Sequence, residues 1–302
     1  MYNSIGFLEF QKKFSTDRKC WKYLVKKRWS KGFKCSRCGC SHYYFHRTRH
    51  LFECKQCRYQ VSVIANTVFH KTRTPLRKWF WAIYLIVNHK KGLSTLQLKK
   101  LLALGSYKTA WGMVHKIRKA MADRDASYRL SGLLELDDTY FGGKKHPGKR
   151  GRGSKNKSPV LAAVEVPDNK KPRFAVLQVV KNLTFEEVES HLKNKVKKLS
   201  ILKTDAYKSF YSLNEKGYYH YPKVMSDEQK IRTHLPWIHT IVANAKNAIR
   251  ATFHGVSSKH LQRYLDEFNY RFNRRFWEPQ LFDRLLYACI LTNTITFSEL
   301  VE

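Results

Sequence analysis

LELDDTYFGGK, residues Leu134 to Lys144, places three carboxylates, Glu135, Asp137 and Asp138, inside an apolar run. The chain carries 58 Lys+Arg against 23 Asp+Glu, so such a cluster requires a reason. The period-two alternation of a strand puts Glu135 and Asp137 on one face and Asp138 on the other. In so basic a chain, carboxylates grouped this way serve to hold a metal ion against a polyanion. The plainer alternative is an exposed edge strand decorated with charge.

Leu133 to Phe141 is therefore taken as a strand, followed by Val160 to Val166 and Arg173 to Val180, each short and rich in β-branched or apolar residues. Between the first two lies GGKKHPGKRGRGSKNKSP, whose seven Lys or Arg in a glycine-rich segment predict a loop. Lys144, Lys149, Arg150 and Arg152 in that loop are expected to clamp phosphates. Thr184 to Lys198 follows as a helix, with Thr184 and Glu187 spaced as a capping box. Ser200 to Thr204 is a further strand ending at Asp205, and the helical AYKSFYSL comes next. An aspartate at a strand's carboxyl end projects into a cleft or caps the following helix. Trp237 to Phe253 is a helix with His239, Asn244 and Lys246 as its polar candidates, and two amphipathic helices complete the chain.

At 302 residues the chain accommodates one sizeable core and one or two small modules. Its formal net charge of +35 and pI near 10.0 predict salt-dependent attraction to a polyanion, nucleic acid first. The longest apolar run, Trp79 to Val87, is too short to span a bilayer and predicts a buried helix instead. MYNSIGFLEFQKKF lacks the features of a signal peptide, which implies a cytoplasmic protein, nucleoid-associated when bound to DNA.

Seven cysteines are an odd number, and four form a metal pattern: Cys35 and Cys38, then Cys54 and Cys57, with 15 residues between the pairs. Each two-residue gap lets both sulfurs of a turn face one tetrahedral Zn²⁺, and the metal replaces a core too small to stand alone. Cys40 is a spare thiol beside the first pair. Upstream, Phe7, Phe10, Phe14, Trp21, Leu24 and Val25 follow helical spacing. Downstream, a helix from Pro75 precedes two more, opening near Ser94 and Ser106 and joined at Gly105, in helix-turn-helix layout. The first turn of the second helix, Tyr107, Lys108 and Thr109, would enter the major groove, unless the pair is an ordinary helical hairpin.

The element order from Leu133 onward is that of a ribonuclease-H-like core. LELDDTYFGG, the basic loop ending in SKNKSPVLAAVE, KTDAYKSF, FHGVSSKHLQRYLDEFNYRFNRR and the upstream ribbon together resemble a DDE-type insertion-sequence transposase. More narrowly they resemble the zinc-ribbon family named for insertion sequence 1595, with its ISXO2-like transposase domain. The resemblance implies an α/β ribonuclease-H-like catalytic core over 130–295, behind a helical lead-in (1–30), a zinc ribbon (31–66) and a helix-turn-helix-like DNA-binding module (72–124). It further implies metal-dependent cleavage and transfer of DNA strands using two Mg²⁺ or Mn²⁺ ions about 3.5 to 4 Å apart. Asp137 takes the first metal position and Asp205 the second.

The usual third residue, a glutamate on the late helix with a basic residue seven positions on, is missing. That count falls on His239, with Lys246 following on the same helix face. Asn244 is placed slightly ahead of it, because a subgroup of the family ends its triad in Asn. A neutral ligand weakens a site for a hard cation. Glu267 is a remoter candidate, set among arginines that would pair with it. The partners implied are the double-stranded terminal inverted repeats and target DNA, held by a homo-oligomer of at least two copies. The alternatives are a DNA-binding regulator with a decayed nuclease core and a structure-specific nuclease.

Overall fold

The computed structural model describes residues 5–142, 157–167, 171–224 and 233–301. The chain forms two compact units, Arg124–Phe276 and Met1–Asp123 together with Trp277–Glu302.

The Arg124–Phe276 unit is built on a five-stranded sheet. For this unit we label β4 (Leu133–Phe141), β5 (Ser158–Glu165), β6 (Ala175–Val179), β7 (Ile201–Asp205) and β8 (Tyr219–Lys223). The spatial order is β6-β5-β4-β7-β8; β4, β5 and β6 form an antiparallel meander, while β7 and β8 run parallel to β4. This strand order and mixed polarity are those of a ribonuclease-H-like core. The acidic strand is therefore central, and the edge-strand alternative is set aside.

Alternation along β4 divides two buried clusters. Leu134 and Leu136 face α6 (Phe185–Lys195) with Val188, Leu192 and Phe210. Phe141 faces α7 (Ile238–Phe253) and α8 (Ser258–Asn273) with Ile238, Val242, Leu261 and Leu265. Each fully buried aliphatic side chain contributes about 1.5 to 3 kcal/mol, so the two clusters fix which face each carboxylate takes.

Three local expectations change. Thr184 makes no side-chain cap to the α6 backbone, so the capping box does not form. AYKSFYSL folds as a 3-10 segment, Lys208–Lys216, rather than an α-helix. The strand β8 was not anticipated: Pro222 lies in it, and Pro is confined to edge positions such as this one.

The β6 edge is closed by side chains of α8. Asn273 accepts from Ala175 N–H (2.7 Å) and donates to Ala175 C=O (2.9 Å). Asn269 does both at Leu177 (3.1 Å each), and Gln262 accepts from Val179 N–H (2.7 Å). Separations of seven and four residues bring these amides to within about 20° of one line on the helix. They mimic a sixth strand.

In the other unit, α1 (Phe7–Lys13) and α2 (Asp17–Arg28) precede a small sheet of β1 (Tyr43–His46), β2 (Leu51–Cys54) and β3 (Gln60–Ser62). Then come α3 (Leu76–Asn88), α4 (Thr95–Leu101), α5 (Tyr107–Ala126, ending just past the unit's boundary), α9 (Leu281–Leu291) and α10 (Phe297–Val301). As anticipated, α3 is a core helix: Trp79, Phe80, Ile83, Ile86 and Val87 are buried. Asp17, at the start of α2, accepts from Arg77 N–H at 2.8 Å and so caps α3.

The expected catalytic segment 130–295 overruns its unit. From Trp277 the chain groups with the amino-terminal helices, because Phe282 of α9 packs against Phe10, Phe14 and Phe80. Asp283 adds a hydrogen bond from Tyr23 (2.5 Å) and an ion pair with Lys27 (3.2 Å).

Candidate metal centres and nucleic-acid contacts

Two CxxC turns meet in the ribbon. Cys35 lies 3.6 Å from Cys57 and Cys38 lies 3.5 Å from Cys54, sulfur to sulfur, and all four sulfurs are within 4.8 Å of one another. A tetrahedron of about 2.3 Å Zn–S bonds has edges of about 3.8 Å, so the spacing and the soft donors fit a structural Zn²⁺. Cys40 is outside the set: its sulfur engages His42 N–H (3.4 Å) and C=O. The ribbon also has an apolar floor, Phe33, Phe52 and Val61, with Trp21, Val25 and Trp29 of the α2 region laid against it.

The second site is organised by sheet register. β4 and β7 pair Leu133 with Ile201, Leu134 with Leu202 and Glu135 with Lys203. Carried two residues past its last paired rung, the same register directs Asp137 and Asp205 to one face of the sheet from adjacent parallel strands. Asp137 is shaped locally by Asp138 N–H, which donates to its Oδ1 at 2.8 Å, and Tyr207 N–H donates to Asp205 Oδ1 at 3.3 Å.

The α7 helix docks on that same face through Glu135. This buried carboxylate accepts Trp237 N–H (3.0 Å) and Ile238 N–H (2.7 Å), satisfying the open amides of the helix start with the charge its dipole favours. Burial nonetheless raises the Glu135 pKa, outweighing the two backbone hydrogen bonds. Sequence reasoning left Glu135 a bystander; its parity with Asp137 was the available signal.

So held, α7 carries His239 to Asp137, with Nδ1 3.7 Å from Oδ2. Burial lowers the His239 pKa, Asp205 opposes that, and Lys246 reinforces it, so the imidazole senses both other members of the site. Lys246 donates to Thr139 Oγ1 at 2.7 Å; burial and Lys157 lower its pKa while Asp137 raises it. Asp137, Asp205, His239 and Lys246 thus converge. Asn244 does not join them: it is exposed and lies about 140° round the helix from His239 and about 160° from Lys246. Glu267 is buried and ion-paired with Arg271 at 3.3 Å. Among the described residues only the four cysteines form a group of three or more metal-ligating side chains. The two aspartates still offer hard oxygen donors suited to a divalent cation.

Tyr107, Lys108 and Thr109 are exposed on the first turn of α5, where Ser106 caps by accepting Thr109 N–H at 3.0 Å. The Lys108 ammonium sits 4.4 Å from the Phe297 ring centre. The turn from α4 passes through Ala103 in the left-handed region (φ 44°). Lys144, Lys149, Arg150 and Arg152 lie outside the described residues. No helix among the described residues is long and apolar enough to cross a membrane.

Strand order and thiolate cluster together define the class: a zinc-ribbon protein with a ribonuclease-H-like domain. Residues 129–273 match the family model of the ISXO2-like transposase domain, and residues 15–60 match the transposase zinc-ribbon domain. The chain belongs to the insertion sequence 1595 transposase family. A protein of the transposable element ISH50 from Halobacterium salinarum is 30% identical over 133 residues. That match spans 43% of this chain and 43% of the relative, less than half of each.

Among solved structures, the Mos1 strand transfer complex is similar at 10% identity and TM-score 0.29, covering 68% of this chain and 76% of that one. A Mos1 transposase paired-end complex gives 11%, 0.29, 71% and 79%. Scores this low do not establish a shared fold, and the assignment of the core rests on its strand order.

Proposed function

We propose that the protein is a DNA transposase that binds the terminal inverted repeats of its element, hydrolyses a strand at the element's end and joins the freed 3′ hydroxyl to target DNA. The observation that supports this reading is the parallel pairing of β4 with β7, whose register leads toward Asp137 and Asp205, in a core that matches the transposase family model. Bound Mg²⁺ or Mn²⁺ would supply charge neutralisation at the phosphate, an activated nucleophile and a stabilised leaving oxygen. Asp137 and Asp205 would hold the ions. His239, beside both, is favoured over Asn244 as the neutral third group. Lys246, held by Thr139, offers its ammonium to the DNA backbone next to the carboxylates. Glu135 keeps α7 in place, and the zinc ribbon with the first turn of α5 supplies the remaining DNA contacts.

Purified protein is expected to nick or join terminal-repeat DNA with Mg²⁺ or Mn²⁺, and Asp137→Asn or Asp205→Asn should abolish this. Unchanged activity in both variants would exclude the mechanism. A DNA-binding regulator with a degenerate nuclease core is the second reading, favoured because among the described residues no third carboxylate, cysteine or histidine, His239 included, closes into a metal-ligating group with the two aspartates. Binding of the repeats without metal-dependent cleavage under any condition would support it.

A further inference from the structure

A concave cavity of about 730 Å³ opens between the end of β4 and the turn that joins α7 to α8. Its volume is in the range of small-molecule sites and far exceeds what a single phosphate fills. Its lining carries the cations Lys157, Lys246 and Arg250, and none of the described lining residues is acidic. Apolar lining is interleaved with them: Ile249 follows Lys246 and precedes Arg250 on α7, Tyr140 and Val256 are partly exposed, and Phe141 and Leu261 are buried beneath. Ser257 and Ser258, which open the 16-residue α8, also line it, so the positive end of that helix adds to the field.

Lys246 joins this cavity to the carboxylates. Its ammonium is 2.7 Å from Thr139 Oγ1 and 5.5 Å from the Phe141 ring centre, and Thr139 is two residues, about 7 Å, along the same strand face from Asp137. Burial first, and then Lys157, depress the Lys246 pKa against the pull of Asp137, so two cations face each other where none of the described lining residues is a carboxylate. An anion relieves that repulsion. A phosphate alone would leave the apolar lining uncovered, and an apolar ligand would leave the cations uncompensated. A ligand carrying both a phosphate and a flat apolar ring satisfies both kinds of lining together.

We propose that this cavity is a subsite for a single nucleotide of the DNA strand passing the aspartates, with its phosphate at Lys246 and Arg250 and its base against the partly exposed Tyr140, Ile249 and Val256. The proposal rests on the transposase reading, which supplies the strand. A base unstacked from its neighbours regains stacking or apolar contact in the pocket.

The test uses the full chain with short single-stranded oligodeoxynucleotides carrying 5-iododeoxyuridine, crosslinked by light and mapped by mass spectrometry. Crosslinks are expected at Tyr140, Phe141 or His254, all lining the cavity. Val256→Trp, which fills the space without altering charge, should reduce the crosslinks at Tyr140, Phe141 and His254 at least about tenfold, any crosslink to the new indole being scored as occupancy of the cavity. Arg250→Glu, at an exposed position, should do the same. Free thymidine monophosphate should compete better than inorganic phosphate. Crosslinks confined to the ribbon and the first turn of α5, yields unmoved by both variants, or equal competition by phosphate would each overturn the proposal. Cleavage of terminal-repeat DNA is scored separately: crosslinks in the cavity without cleavage sustain the subsite and refute the transposase reading, whereas cleavage without cavity crosslinks does the reverse.

Discussion

His239 and Asn244 are five residues apart on α7, a rotation that separates a side chain at the aspartates from one on the opposite flank. Removing a group that supports a metal site typically lowers activity 10- to 100-fold. His239→Ala should therefore reduce metal-dependent DNA cleavage by at least about tenfold, while Asn244→Ala stays within a few-fold of the parent. Equal losses would remove the distinction drawn from geometry. The strand positions of Asp137 and Asp205 were legible in the sequence because strand parity and strand ends can be read from it. Which face α7 turns toward them was not, because it depends on how the helix is rotated when Glu135 receives its first amides.

A different histidine makes the sheet acid-sensitive. His191 of α6 is buried in the cluster behind β4, its Nε2 lacks a hydrogen-bond partner, and burial, with Lys195 adding, pulls its pKa down to about 4. Above pH 6.5 the ring is neutral both folded and unfolded and contributes nothing to pH dependence. Between about 6.5 and about 4 the unfolded chain takes up the proton first, so stability falls with falling pH. From pH 7.5 to 5 the loss is about 2 kcal/mol. Amide hydrogen exchange of β4 and α6 reports that free energy, and His191→Leu should flatten the slope.

Among elements, α8 shows how a helix can end a sheet. Its three amides meet alternate residues of β6, and the extra length of Gln262 spans the longer step along the helix. The arrangement satisfies edge N–H groups that would otherwise invite strand addition. Asn269 is buried, so Asn269→Ala orphans Leu177 N–H away from water and should cost about 1 to 3 kcal/mol. Gln262→Ala leaves Val179 N–H where it is only partly buried and water can replace the amide, and should cost less. Exchange protection of the β6 amides separates the two. Periodicity revealed α8 as an amphipathic helix but could not show this use of its polar residues, since hydrogen bonds over 83 to 98 residues of sequence leave no local trace. Likewise β8 owes its place to pairing with β7, which outweighs the poor strand propensity of Pro222.

On the scale of the whole chain, two kinds of cohesion operate. The Arg124–Phe276 unit stands on two apolar clusters divided by its sheet, and no described metal-ligating group of three or more lies within it. The ribbon instead has three short strands and a small apolar floor, and four cysteine sulfurs that can all be thiolates together only on a bound cation. Binding energy at such a site is folding energy. A chelator strong enough to strip zinc should therefore abolish amide protection in Tyr43–Ser62 while leaving that of β4, β5 and β7 unchanged. Cys54→Ser should reproduce the loss without chelator, because it removes a buried ligand, whereas Cys40→Ser should not, because that sulfur turns toward His42. Zinc content and exchange measured on the same samples decide the matter: protection retained in a zinc-free ribbon would mean that Trp21, Trp29 and Phe52 suffice to hold it, and the metal would then have to act on DNA contact rather than on folding.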